Sequence, residues 1–115
     1  MTWFQRRGSK YGAKTQQYDG HTYHSKKEAG YAASLDLMKR AGEIKEWKRQ
    51  VKISLDVNGM HIANYFCDFE VTMADGSTEL HEVKGFDTEI YRLKRLLLEA
   101  TLLKERPDIK YVVIR

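Results

Sequence analysis

Three acids and one lysine have the types and the spacing to do chemistry together: Glu28, Asp68, Glu82 and Lys84. The last three fall in a single stretch that carries its own turn signal. Asp75-Gly76 separates an apolar-rich run ending at Met73 from the segment Thr78 to Lys84. An Asp-Gly pair tolerates the positive φ that a tight hairpin turn demands. Side chains on a strand alternate between faces, so Glu82 and Lys84 share one face and Val83 takes the other. Asp68, on the partner strand, is placed to meet them. Two carboxylates and an ammonium on one side of a sheet suit a hard divalent cation beside a phosphate. Glu82 and Lys84 alone would also fit an ordinary charge pattern on a solvated strand. Asp68 fits that pattern poorly, because its neighbours are Phe66, Cys67 and Phe69. An ionised carboxylate in apolar surroundings is costly without a cation or hydrogen-bond donors.

The elements that must position these residues follow from the pattern along the chain. Residues 16–24 contain Asp19-Gly20 and predict a small hairpin that aims Tyr18 or Tyr23 at the next helix. Ser25 opens that helix, which runs to about Arg40 and stops near Gly42. Ala29, Ala32, Leu35, Met38 and Ala41 form its apolar stripe. Ser25-Lys26-Lys27-Glu28 has the form of a capping box. On this helix alone, capping accounts for Glu28, and a chemical role depends on the acids downstream.

Val51, Ile53, Leu55 and Val57 then alternate with Lys52, Ser54 and Asp56, which predicts a strand with one buried face. Trp47, Lys48, Arg49 and Gln50 precede the alternation, at the edge of the site. Lys48, Arg49 and Lys52 suit a solvated strand edge and a polyanion contact equally well. Asn58-Gly59 is the strongest hairpin signal in the chain. Met60 to Met73 is the return strand, with Ala63, Tyr65, Cys67, Phe69, Val71 and Met73 expected on one face. Ile62, Asn64, Phe66, Asp68 and Glu70 are expected on the other. Apolar residues on both faces predict a central strand covered on two sides.

After Lys84, Gly85 permits a sharp exit and Asp87 or Thr88 can cap a second helix. Its buried stripe is expected at Ile90, Leu93, Leu97, Ala100 and Leu103. Leu96, Leu98 and Leu102 widen that stripe beyond the needs of one monomer, and part of that excess could serve a dimer interface. Arg92, Lys94 and Arg95 lie on the opposite side. Pro107 ends the segment, and Ile109 to Ile114 makes a final short strand. The order helix, three antiparallel strands, helix, strand predicts an α/β fold of the α+β type. Its mixed central sheet is flanked by helices.

Length and charge set the outer bounds. A chain of 115 residues predicts one domain, residues 16–115, with a flexible basic arm at 1–15. A domain of this size buries roughly two thirds of its unfolded surface. Residues 1–52 hold 12 Lys and Arg against 5 Asp and Glu, whereas residues 53–115 hold 8 against 11. The first half therefore has the electrostatic footprint of a polyanion binder, and the second half holds the acids. In the arm, Arg6, Arg7, Lys10 and Lys14 stand with Trp3, Phe4 and Tyr11 and no acid. Such a segment can order against a nucleic-acid backbone with its aromatics stacked on bases, or stay frayed without a role. No apolar run reaches bilayer length, and residues 1–7 lack the apolar core of a secretory signal. The single Cys67 can form no internal disulfide. Together these predict a cytoplasmic protein with no membrane partner.

The motifs Ser25-Lys26-Lys27-Glu28-Ala29, Cys67-Asp68-Phe69 and His81-Glu82-Val83-Lys84-Gly85-Phe86 resemble those of the PD-(D/E)XK nuclease superfamily. Within it the chain is similar to the small phage-borne Holliday-junction resolvases, from about Lys10 to the end. Cys67 stands where the named motif has proline. The resemblance implies a restriction-endonuclease-like αβββαβ core and Mg²⁺ as cofactor, with Mn²⁺ as a substitute and no small-molecule cofactor. It implies Asp68 and Glu82 as metal ligands, the Val83 carbonyl as a third, and Glu28 bound through water or to a second ion. Lys84 orients the attacking water and stabilises negative charge. Lys26, Lys27 and Lys94 join the arm residues as candidate DNA contacts. The implied activity is a magnesium-dependent endonuclease that resolves four-way DNA junctions by paired symmetric nicks as a homodimer.

Three other readings compete. A nuclease of the same fold could act on branched DNA in general or on nicked duplex. A non-catalytic domain could use the basic first half for salt-sensitive nucleic-acid binding. A structural subunit of a larger assembly would use the wide leucine stripe.

Overall fold

The computed structural model describes residues 16–115 apart from Asp19 and His24. The arm residues Arg6, Arg7, Lys10 and Lys14 lie outside the described residues. The chain divides into two compact units, Met1–Ala41 and Gly42–Arg115.

In the first unit, strands β1 (Gln16–Tyr18) and β2 (His21–Tyr23) pair antiparallel, Tyr18 with His21. The Tyr18 hydroxyl donates to Asp36, so the hairpin does aim an aromatic at the helix, α1 (Lys26–Arg40). Ser25 Oγ caps α1 by accepting from the Glu28 N–H at 3.1 Å. That bond satisfies one of the amides a helix start leaves without an intrahelical partner. Ala29, Ala32 and Leu35 are buried, and Gly42 leaves the helix at φ 80°. Left-handed backbone costs glycine little, which is why the helix stops there.

The second unit is a four-stranded mixed sheet in the order β3 (Ile44–Val57), β4 (Met60–Met73), β5 (Thr78–Val83), β6 (Lys110–Ile114). β3, β4 and β5 are antiparallel neighbours, and β6 runs parallel to β5. A parallel return needs a crossover. Helix α2 (Glu89–Ala100) and the single turn α3 (Leu102–Glu105) supply it. The mixed α/β fold expected from the element pattern is the one observed. Asn58 and Gly59 both take positive φ, 50° and 80°, between paired Val57 and Met60. That is the tight-turn geometry in which both central residues are left-handed. At the next turn only Gly76 is left-handed, and Asp75 instead accepts from the Ser77 N–H at 2.9 Å.

One buried cluster joins Leu55, Tyr65, Cys67 and Leu80 of the sheet to Tyr91 and Leu98 of α2. It corrects two expectations. Cross-strand partners share a face, and Leu80 pairs with Glu70 while His81 pairs with Phe69. Leu80 nevertheless packs with Tyr65 and Cys67. The alternation along β4 therefore shifts between Cys67 and Phe69, and the residues from Ala63 to Met73 do not share one face. The shift falls at Asp68. There the β3–β4 ladder pairs Arg49 with Phe69 and Val51 with Cys67 and passes over Gln50 and Asp68.

The second correction concerns α2. Ile90 and Leu93, expected in the buried stripe, are exposed, and Tyr91 and Leu98 are buried in their place. The helix carries apolar residues on more than one side, so periodicity alone does not choose between them. Tyr91 decides the matter, because its hydroxyl has a partner on the sheet, Tyr111 at 2.7 Å. A buried phenol requires such a partner. The helix also breaks earlier than the expected Pro107. Thr101 leaves helical geometry at φ −111°, ψ −90°, and its hydroxyl donates to the Leu97 carbonyl at 2.7 Å.

Candidate active site

The second unit brings Asp68, Glu82 and Lys84 together at the end of the β4–β5 ladder. The ladder ends with Phe69 opposite His81, which leaves Asp68 and Glu82 facing each other one residue further on. Each is locked to the other's strand. Asp68 Oδ2 accepts from the Val83 N–H of β5 at 2.8 Å, and Glu82 Oε1 accepts from the Tyr65 hydroxyl of β4 at 2.5 Å. Both side chains are buried, Asp68 at 8 % exposure and Glu82 at 4 %. Lys84 Nζ lies 3.5 Å from Glu82 Oε2 and 3.9 Å from the centroid of the Tyr91 ring. The ammonium is thus held between a carboxylate and the negative face of an aromatic ring.

Glu82 also heads a chain of phenols. Tyr65 donates to Glu82 Oε1 at 2.5 Å, and its oxygen lies 2.9 Å from that of Tyr111. Tyr111 in turn lies 2.7 Å from Tyr91. Burial pushes the Glu82 carboxyl above the ordinary glutamate range, against the lowering effect of Tyr65, Lys84 and the Asp68 amide. Burial likewise pushes the Tyr65 and Tyr111 hydroxyls far up, so both stay protonated and can donate. The Cys67 thiol is raised as well by burial, which makes it a packing residue rather than a nucleophile.

Two contributors were not singled out by their residue types. Tyr65 sits in what reads as an apolar alternation, and its hydroxyl left no periodic trace. Gln50 stood only at the edge of the expected site. Its Nε2 lies 3.4 Å from Asp68 Oδ1, and its backbone is left-handed at φ 52°.

The remaining expected residues lie on other elements. Glu28 stands in the first unit, buried on the first turn of α1, and Lys26 and Lys27 are exposed beside it. Val83 pairs with Ile114 on β6. Lys94 is half-buried on α2, and that burial lowers its amine below the usual lysine range. His81 is buried and bonded to Glu79 at 2.8 Å, on the opposite face from Glu82. Ser54, His61 and Asp56 have the types of a nucleophilic triad, but His61 meets both partners through the same Nδ1. A relay needs both ring nitrogens, so this exposed trio is a turn-stabilising cluster.

Among the described residues no group of three or more His, Cys, Asp or Glu side chains is arranged to hold a metal ion. The donors of the second unit still fit a hard cation. Magnesium takes one or two carboxylates directly and completes its shell with water and substrate oxygens. Asp68 and Glu82 supply two carboxylates side by side, next to the ammonium of Lys84. Among the described residues no helix is long and apolar enough to cross a membrane.

No curated protein and no solved structure matches the chain. A model of the family described as a protein of unknown function, DUF1064, matches residues 8–113, and the chain belongs to that family.

Proposed function

We propose that this chain is a metal-dependent endodeoxyribonuclease of the cytoplasm that cuts branched DNA, four-way junctions above all, as a homodimer. One observation carries the reading: two buried carboxylates, Asp68 and Glu82, each hydrogen-bonded to the neighbouring strand, beside the ammonium of Lys84. Asp68 and Glu82 would hold the Mg²⁺, with the Val83 carbonyl as a further ligand that the sequence resemblance implies. When bound, the ion supplies charge neutralisation on the phosphoryl oxygens and acidifies a coordinated water.

The chain's own groups do the rest. Tyr65 donates to Glu82 and favours its ionised form, which is the form that can bind a cation. The Val83 N–H orients Asp68. Lys84, pinned between Glu82 and the Tyr91 ring, presents positive charge where negative charge develops on the phosphorane oxygens. The basic residues of the first half, Lys26 and Lys27 among them, supply the phosphate contacts that set affinity without reading sequence. Apolar residues exposed on α2, Ile90, Leu93 and Leu96, support a symmetric pairing that would present two sites to two strands.

The test is a labelled four-way junction and a matched duplex, each with Mg²⁺ or with EDTA. Paired, symmetric nicks in the junction alone, and only with Mg²⁺, are expected. Equal cutting of the duplex would move the substrate to DNA in general. Binding without products in either buffer would overturn the nuclease reading in favour of a non-catalytic binding domain.

A further inference from the structure

Gln50 is the one non-glycine residue in the left-handed region that lies inside a strand among the described residues; Asn58, the other, belongs to a turn. Holding such a residue at positive φ costs on the order of 1–3 kcal/mol and persists only where the surroundings impose it. If the strand needed nothing but a local twist, glycine would supply it without that strain. The chain places a carboxamide there instead.

The position is specific. The ladder passes over Gln50 and Asp68 together, between the pairs Arg49–Phe69 and Val51–Cys67. Both residues drop out of the pairing at the same level, and the register on either side is unchanged. In that conformation Gln50 Nε2 reaches Asp68 Oδ1 at 3.4 Å while the Val83 N–H holds Oδ2 at 2.8 Å. The first contact is at the long end of the hydrogen-bond range, yet it approaches the oxygen that Val83 does not hold. Together the two donors define the plane of the carboxylate.

We propose that Gln50 is the positioning residue of Asp68: its left-handed backbone turns the carboxamide onto Oδ1 and sets the carboxylate for a divalent cation before the cation arrives. The inference rests on the reading of Asp68 as an ion ligand. It assigns a role to the strain in β3 and makes Gln50 part of the ion-binding shell without contact to the ion. Groups that orient a metal ligand in this way are commonly worth about 10–100-fold in metal affinity.

The test uses the full chain and Mn²⁺ alone, with affinity followed by electron paramagnetic resonance. Gln50→Gly removes the carboxamide and relieves the backbone strain. Its melting temperature is expected at or above the wild-type value, while Mn²⁺ affinity falls about tenfold. Junction affinity in EDTA is expected to stay unchanged. Gln50→Asn tolerates the left-handed backbone and keeps a shorter carboxamide, so its Mn²⁺ affinity is expected between the two. Wild-type Mn²⁺ affinity in Gln50→Gly would overturn the proposal. Asp68→Asn separates this failure from the larger one. If Asp68→Asn loses Mn²⁺ binding and Gln50→Gly does not, only the positioning role fails. If wild type and Asp68→Asn bind Mn²⁺ equally, the ion-site reading fails and the positioning role goes with it.

Discussion

Tyr65 donates its only hydroxyl proton to Glu82, and this fixes the direction of the hydrogen bonds behind it. With that proton committed, Tyr65 can only accept from Tyr111, and Tyr111 can then only accept from Tyr91. The chain runs from Tyr91 to the carboxylate, with every dipole pointing its positive end toward Glu82. Successive hydrogen bonds of one sense polarise each other.

Tyr65→Phe cuts the chain at its last link. Glu82 loses a donor that lowers its pKa, so its carboxyl holds a proton to higher pH. A hydrogen bond to a charged group is worth about 1.5–3 kcal/mol, so magnesium-dependent cleavage near neutrality should fall by roughly tenfold or more. The acid limb of the pH–rate profile should move toward higher pH. An unmoved acid limb would show that Tyr65 does not tune Glu82.

The raised Glu82 carboxyl has a consequence for stability. Between the unfolded value and the higher folded value, the native chain binds more protons at this site than the unfolded chain does. Unfolding free energy contributed by Glu82 therefore decreases as pH rises through that window, in the absence of metal. One group contributes a slope of at most about 1.4 kcal/mol per pH unit. Glu82→Gln cannot titrate, so its profile should lack this component. Urea melts in EDTA at a series of pH values decide it, and parallel profiles would contradict the assignment.

Asp68→Asn keeps shape and an acceptor for the Val83 N–H while removing the charge. Junction binding in EDTA should survive within about twofold. Cleavage should fall on the order of a thousandfold, about 4 kcal/mol in transition-state free energy. Gel-based single-turnover assays measure both, and retained cutting would remove Asp68 from the site.

Leu93 and Leu96 are 56 % and 55 % exposed on the outer side of α2. Replacing both with lysine should weaken the proposed homodimer and leave the melting temperature nearly unchanged, since exposed substitutions usually shift stability by less than about 0.5 kcal/mol each. Sedimentation velocity reads the outcome. An unaltered dimer would place the interface elsewhere.

Much of this arrangement is legible in the residues, and the exceptions have physical causes. Asn58-Gly59 and Ser25 announce a turn and a helix start through local chemistry, and the structure places both where their types require. Asp68, Glu82 and Lys84 meet because two strands joined by a short turn leave little freedom in register. Gln50 was hidden because nothing in a glutamine signals a left-handed backbone; the conformation is imposed by its neighbours. That same departure defeats strict alternation along β4, so Phe69 and Cys67 part company. Tyr91 and Leu93 compete for the sheet with similar apolar bulk, and the Tyr111 hydroxyl on β6 decides between them.

The hairpin of β3 and β4 has 14 residues in each arm, but β5 supports β4 only from Phe69 to Thr72. Toward the tip, among the described residues, the two arms pair as strands only with each other, and a two-stranded ribbon is marginal in water. Leu55 and Tyr65, gripped by Leu98, clamp it partway along. Amide protons should therefore exchange quickly around Met60 and Ile62, slow down at that clamp, and be best guarded at Phe69 and Val71. The carboxylates would then stand on the rigid side of a steep gradient in protection, with a pliant lever projecting from it.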